Sequence, residues 1–418
     1  MQKKFFPIKQ GVACQLKWTW NTLRLHDGTS SSCHRVDQIG VNVENFDNFH
    51  NDPIWIAQRT QMLAGEFPQA GCQYCGNIEK NGGVSDRLTH LKIPNLYPTE
   101  LDTDPLAVNV TPRILEVYLD NTCNMSCIYC DESNSSQIQN ENLKFGYIEI
   151  KDVNLNNQVK KRNPNFDQLT DKFFEYLEKN YGQLRKLNVL GGEPFFQKSF
   201  KRLVTFIENN RNPDLELTIV TNLKVSKKTL EEFVLKMKQL LAQRKIGRLD
   251  ITVSLDCFGK EQEYVRYGMN LEKLKENFEF LVQHRWITLN VNSTITSLTI
   301  KTMPEMIRYI KSFLGDRRIF CSFGIVDNRP WLHPIAFGGD FFKQDFVNIL
   351  NEMPNESDWD KNQKQYMDGI AKYIAASTVD VTQLGELEKY LTEIDRRRNL
   401  NWHTVFPWLD QHLQQILQ

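Results

Sequence analysis

The chain has 418 residues, room for two or three domains at ~150 residues each, and its 51 Lys and Arg offset 51 Asp and Glu. That balance excludes the broad basic field that draws proteins onto phosphate backbones, so nucleic acid is not an expected partner. No run reaches the ~18 apolar residues that cross a bilayer, and the charged start Met1–Gln10 lacks the apolar stretch of a secretory signal, so a soluble cytoplasmic protein without membrane association is expected.

In chain order, residues 1–95 are short on helical periodicity and rich in Gly, Asn, Asp and aromatics. This reads as a small module whose cysteines sit in loops. Pro94, Pro98, Pro105 and Pro112 each discourage helix, and residues 96–112 are read as a linker. From residue 113 six short β-rich runs follow: Ile114–Leu119, Leu187–Leu190, Leu215–Thr221, Leu249–Leu255, Ile287–Ile295 and Ile319–Val326. Helical patterns separate most of them, at Asp167–Tyr181, Lys198–Asn210, Ser226–Arg244, Lys260–Gln283 and Met303–Leu314. Strands alternating with helices of this length predict βα units and a parallel sheet over residues 113–335. Six units fit either a partial barrel or a doubly wound sheet. The polar, Asn-rich span Asn134–Asn165 reads as a long loop. Residues 336–418 read as a helical extension, with helices at Phe341–Met353, Lys361–Ala376, Gln383–Arg397 and Trp408–Leu417, and a structural cap is the expected role.

Nine cysteines are the informative excess. An odd count without a signal argues against a disulfide framework, and grouped cysteines in a reducing compartment bind metal or do redox chemistry. Cys123, Cys127 and Cys130 follow the first predicted strand at spacings that let three thiolates face one point. A structural zinc would want a fourth ligand nearby, and neither Cys nor His is in sequence reach. Three ligands suit a [4Fe–4S] cluster with one open iron. Gly191-Gly192-Glu193-Pro194 ends the second strand; glycines let backbone approach a ligand, and a carboxylate can hold an ammonium group.

With these two motifs in register, the sequence resembles the radical S-adenosylmethionine (radical SAM) superfamily, whose signature is C-x3-C-x2-C. The resemblance implies a partial (βα)6 TIM-like barrel. It implies that Gly191, Gly192, Glu193 and Pro194 bind the amino group of SAM's methionine part. Thr221-Asn222 and Ser254-Leu255-Asp256 close the third and fourth strands, the usual place for ligands on parallel α/β scaffolds. Asn222, Ser254 and Asp256 are similar to residues that meet the ribose in related enzymes, or are helix caps and turn formers. Arg266 is similar to an arginine that holds SAM's carboxylate, and Tyr129 is placed to meet the adenine.

Cys14 is followed by Gly28, Cys33 and then Cys72-Gln-Tyr-Cys75. This resembles the opening of a SPASM or twitch domain, which carries auxiliary [4Fe–4S] clusters. The cysteines of a second auxiliary cluster are absent, so twitch is the better description. Trp55, Arg59, the run Gln61–Glu66 and Ser85-Asp86-Arg87 agree with it. The module precedes the barrel here, whereas in most SPASM enzymes it follows. Four thiolates suit tetrahedral zinc as well.

The implied chemistry is that of a radical SAM oxidoreductase or maturase. Reductive cleavage of SAM gives methionine and a 5′-deoxyadenosyl radical, which abstracts a hydrogen atom from a peptide or protein side chain. The auxiliary [4Fe–4S] cluster then acts as electron acceptor, and a flavodoxin- or ferredoxin-type protein as electron donor. The same chemistry on a small molecule (a sugar, nucleotide or lipid precursor) is the alternative, and a non-catalytic metal-binding scaffold is an alternative of another class. Cys257 is a candidate hydrogen-atom donor near the SAM pocket; Cys321 is expected in the core.

Overall fold

The computed structural model describes residues 12, 14–80, 85–91, 108–150, 162–315, 318–327 and 329–417. Most of the linker, with Pro94, Pro98 and Pro105, lies outside these residues. The strands are β1 (Trp20–Arg24), β2 (Thr29–Ser31), β3 (Ile39–Gly40), β4 (Ile114–Tyr118), β5 (Ser126–Cys127), β6 (Lys186–Leu190), β7 (Glu216–Thr221), β8 (Arg248–Ser254), β9 (Arg266–Tyr267), β10 (Thr288–Ile295) and β11 (Ile319–Ile325). Nine of them form one sheet in the order β11-β10-β8-β7-β6-β4-β1-β2-β3, and β5 pairs with β9. From β11 to β1 every neighbouring pair is parallel; β2 and β3 add antiparallel. The chain is thus α/β with a large parallel sheet, and the six predicted runs supply six of its seven parallel strands.

Alternation explains the two faces of this sheet, since successive side chains on a strand point opposite ways. Leu115, Val117, Leu187, Val189, Leu217, Ile219, Leu249, Ile251, Val253, Leu289 and Val291 are all buried in one hydrophobic core. The other face is polar. On β10, Thr288, Asn290, Asn292 and Thr294 keep partial access while the residues between them are buried. Thr22, Glu116, Asn188, Thr218, Asp250 and Thr288 form one register row across six strands of that face. Thr22 donates to Glu116 Oε1 at 3.0 Å, while Asn188 Oδ1 and Thr218 Oγ1 are buried without a hydrogen-bond partner among the described residues. At the N-terminal end of the strands, Lys186 pairs with Glu216, and Arg248 bridges Glu216 (3.4 Å) and Asp250 (2.7 Å).

Among the described residues, the amino-terminal region, which is short on helical periodicity in sequence, holds the longer helices Pro53–Leu63, Gln69–Lys80 and Asp86–Leu91 beside the one-turn helix Leu16–Thr19. The first is capped by Asp52, whose side chain accepts from Ile54 N at 2.9 Å, with Pro at its first position. Its buried face is Trp55, Gln58, Arg59 and Met62. The spacing is helical, but two of the four residues are polar, so no apolar period shows. Arg59 is buried by donating to Lys17 O, His50 O, Asn51 Oδ1 and Val108 O at 2.7–3.2 Å.

Two further readings are corrected. Asn134–Asn165 contains the helix Ser136–Phe145, started by Ser135, whose Oγ accepts from Ile138 N at 3.3 Å. The single helix read over Lys260–Gln283 is two, Gly259–Val265 and Leu271–Val282, parted by β9. Gly268, at φ +97°, turns the chain there, and Asn270 caps the second helix. The C-terminal helices Lys343–Glu352, Asp358–Ala375, Val381–Arg398 and Pro407–Ile416 are packed through Phe337, Phe342, Trp331 and Trp402 into the same core as the sheet. No helix among the described residues is long and apolar enough to cross a membrane.

Candidate functional site

The C-terminal ends of β4 and β6 meet through backbone. Gly191 (φ +81°) and Gly192 (φ +53°) occupy the left-handed region that favours glycine. A Cβ on Gly192 would lie 2.3 Å from Thr122 O, so only glycine fits against the residue preceding Cys123. Glu193 N donates to Thr122 O at 2.8 Å. Gln197 Nε2 reaches Asp120 O (2.9 Å) and Gly191 O (2.7 Å), and its Oε1 is buried without a donor. The predicted Gly-Gly-Glu-Pro turn and the cysteine loop are therefore one construction.

Glu193 is fully buried. Its carboxylate accepts from Thr221 Oγ1 (2.8 Å), Asn222 N (2.7 Å) and Phe195 N (3.3 Å). Burial outweighs these donors and pushes the carboxyl up to about 7. A buried carboxylate of that kind is stabilised by a cation, which suits an ammonium group. Its sign is testable. The folded pKa lies above the unfolded value of about 4.3, so the SAM-free folded state retains a proton that the unfolded state releases. Stability falls as pH rises from about 4 to about 7, by roughly 3 kcal/mol in total. Urea denaturation at pH 5 and pH 8 checks this: Glu193→Gln loses the decline, and an equal decline in both proteins refutes it.

Asn222 joins the third strand to the cysteines. Its Nδ2 lies 4.0 Å from Cys123 Sγ and donates to Asn124 Oδ1 at 2.9 Å. The loop is fixed elsewhere by Ser136 Oγ, which accepts from Cys123 N at 3.1 Å, and by Ser135 Oγ donating to Met125 O at 2.8 Å. Burial pushes the Cys123 thiol up to about 11 and raises those of Cys127 and Cys130. Thiols so placed become ligands when a metal takes over from the proton. Among the described residues, no three His, Cys, Asp or Glu side chains form a group around a single ion. Three soft sulfur donors on one loop fit a [4Fe–4S] cluster, each cysteine binding a different iron.

Asp256 and Arg266 were expected to meet different parts of SAM, and they are joined to each other. Arg266 Nε and Nη2 donate to Asp256 Oδ2 (2.8 Å) and Oδ1 (2.9 Å). Asp256 also accepts from Tyr129 OH (2.6 Å) and Thr294 N (2.8 Å). Four donors fill the lone-pair sites of a carboxylate, and Asp256 is fully buried. Ser254 sits at the end of β8 in register with Asn292. Cys257 is fully buried, its thiol donating to Gln262 Oε1 at 3.5 Å. Cys321, expected in the core, keeps partial access on β11.

Sequence reasoning missed the contribution of the C-terminal helices. Arg329 Nη2 donates to Cys130 O at 3.2 Å, and Tyr390 OH donates to Ile128 O. Arg398 Nε pairs with Glu141 Oε2 at 2.9 Å. These residues line a cavity of about 530 Å3 beside Cys130. They carry no motif, so only the long-range fold brings them here.

Cys14, Cys33, Cys72 and Cys75 line a second cavity, of about 360 Å3. Cys14 precedes the short helix Leu16–Thr19, and Cys33 follows β2. Cys72 and Cys75 sit on the helix Gln69–Lys80 rather than in a loop, three residues apart and so on one face. Gly28 (φ +66°) makes the turn between β1 and β2, and a Cβ there would meet Asn163 Nδ2 and Val41 O. Burial pushes Cys14 up to about 11 and Cys33 up to about 12, while the Lys17 ammonium acts the other way on both. Lys17 is itself buried, donating to Ser32 Oγ (2.9 Å) and Gln58 Oε1. The four thiols line one cavity beside a buried cation but no three of them close around a single ion, so their sulfur chemistry suits a cluster more than a lone tetrathiolate metal.

Residues 117–313 match the Radical SAM superfamily, and this chain contains a domain of that superfamily, which implies a [4Fe–4S] cluster and SAM. Among curated proteins it is similar to a "Probable GTP 3',8-cyclase" of Methanococcus maripaludis, 22% identical over 48% of this chain and 55% of that protein. A "Probable GTP 3',8-cyclase" of Methanococcus vannielii is 27% identical over 31% of this chain and 39% of that protein. The chain thus spans about half or less of the curated relatives it matches. Of solved structures, one described as "Native anSMEcpe with bound AdoMet" aligns with a TM-score of 0.35 at 17% identity, covering 64% of this chain and 63% of that one.

Proposed function

We propose that this protein is a radical SAM enzyme whose SAM-binding [4Fe–4S] cluster is held by Cys123, Cys127 and Cys130. The observation that carries this reading is the convergence of two distant motifs, with Asn222 reaching Cys123 Sγ through its side chain and Glu193 through its backbone. When bound, the cofactors supply reductive cleavage of SAM to methionine and a 5′-deoxyadenosyl radical, which takes a hydrogen atom from substrate. Glu193 and the Gly191–Gly192 turn receive the methionine ammonium. Asn222 and Ser254 offer hydrogen bonds to the ribose, and Tyr129 orients toward the adenine while anchored on Asp256. The helix Val381–Arg398 closes over the cysteine loop through Tyr390 and excludes water. The Cys257 thiol, bonded to Gln262, takes no step in this proposal.

Cys14, Cys33, Cys72 and Cys75 would hold an auxiliary [4Fe–4S] cluster in a twitch-like module, a fully ligated site suited to accepting an electron. The resemblance to twitch and SPASM proteins points to an oxidoreductase or maturase acting on a peptide or protein side chain, with a flavodoxin- or ferredoxin-type electron donor. A second reading, a small polar substrate, is favoured by the partly accessible Thr288, Asn290, Asn292 and Thr294 on the polar face of the sheet and by relatives named for a GTP cyclase.

The test is anaerobic incubation of the reconstituted protein with dithionite and SAM. Release of 5′-deoxyadenosine and methionine is expected. A fully iron-loaded protein that neither binds nor cleaves SAM would return the chain to the scaffold class.

A further inference from the structure

Arg266 and Cys127 are brought together by the backbone itself. β9 pairs antiparallel with β5 in the register Cys127↔Arg266 and Ser126↔Tyr267. Directly opposed residues of an antiparallel pair project to the same face with Cβ atoms about 5 Å apart. The guanidinium is then aimed by its partner. Asp256 takes Nε and Nη2 in a two-pronged pair, a geometry that fixes the plane of an arginine fork. The remaining nitrogen, Nη1, lies 3.9 Å from Cys127 Sγ. Tyr129 and Thr294 hold Asp256 in turn, and Arg266 and Asp256 are both buried. Three of the five N–H donors of Arg266 are committed in this way, one from each nitrogen.

We infer that Arg266 is a positioning and charge-tuning residue for the SAM-binding cluster, donating to the Cys127 sulfur, rather than the side chain that receives SAM's carboxylate. The inference rests on the cluster reading proposed above. A cation and a hydrogen bond at a ligating sulfur stabilise the reduced cluster, which carries one more negative charge, and so raise its potential. Asp256 is the anchor that keeps Arg266 on the sulfur.

The experiment is a potentiometric titration of the anaerobically reconstituted full chain without SAM, followed by electron paramagnetic resonance. The signal tracked is the one that SAM perturbs and that a Cys123→Ala, Cys127→Ala, Cys130→Ala variant lacks. In Arg266→Gln the reduced-to-oxidised ratio at the wild-type midpoint falls about tenfold, which is about 59 mV for one electron. In Arg266→Lys, which keeps the charge but loses the fork, it falls about threefold. The auxiliary signal stays in place in both. An unmoved midpoint in either variant overturns the inference. So does an unmoved midpoint accompanied by a tenfold loss of SAM affinity, which assigns Arg266 to the carboxylate. If Arg266→Gln takes up no iron, Arg266→Lys decides alone. A wild-type protein without iron on the triplet defeats the functional reading, an outcome distinct from full iron with an unshifted midpoint.

Discussion

Replacing Cys123, Cys127 and Cys130 together by Ala lowers the iron content from about eight to about four per chain, since each [4Fe–4S] cluster carries four. Release of 5′-deoxyadenosine falls to background, and the SAM-dependent change in the paramagnetic spectrum disappears. The effect is large because nothing near the loop can substitute. The other cysteines on this chain are committed to the second cavity, to Gln262 or to β11. Folding should survive, because the loop is also held by Ser135, Ser136, Tyr390 and the β5–β9 pair. Iron and sulfide analysis beside circular dichroism checks both halves. Retention of about eight irons in this variant would mean that the triplet is not a cluster site.

Replacing Cys72 and Cys75 by Ser gives the complementary result. About four irons are lost, this time with the SAM-dependent signal and 5′-deoxyadenosine release intact. The thermal midpoint falls with the iron. A cluster on these four cysteines would tie together the segment before Leu16, the loop after β2 and the helix Gln69–Lys80, and closing loops of this size contributes about 3 kcal/mol each through the unfolded state. A drop of roughly 5–10 °C follows for a domain of this size. A preparation with about four irons and one zinc would make the module structural while leaving the radical chemistry in place.

What could be read from the sequence follows from how local each signal is. Six of the seven parallel strands were legible because they are short apolar runs buried on at least one face; β1 (Trp20–Arg24) was not, because Asn21, Thr22 and Arg24 interrupt its apolar run. Cys123, Cys127 and Cys130, like Gly191–Pro194, were legible because their spacing is itself the chemistry. The helix Pro53–Leu63 was not, because Gln58 and Arg59 sit on its buried face and break the apolar period. The helix Ser136–Phe145 hid in Asn-rich sequence, with only Ile138 of its side chains buried. Asp256 was visible as a polar residue at a strand end and Arg266 as a cation within a helical pattern ten positions on, but the placing of Arg266 beside Cys127 depends on β9 meeting β5, 139 positions apart. The same holds for Tyr390 and Arg398, whose roles exist only once the C-terminal helices are packed, and for Arg329, which reaches Cys130 O from the segment after β11.

The parallel pairing of β1 with β4, from Trp20↔Ile114 to Arg24↔Tyr118, bears on how the protein is made. β1 is synthesised some ninety residues before its partner, so the β1–β2–β3 ladder leaves the ribosome with one edge of β1 unpaired until β4 appears. Removing the amino-terminal module would in turn leave β4 as a bare parallel edge, an invitation to strand exchange and aggregation.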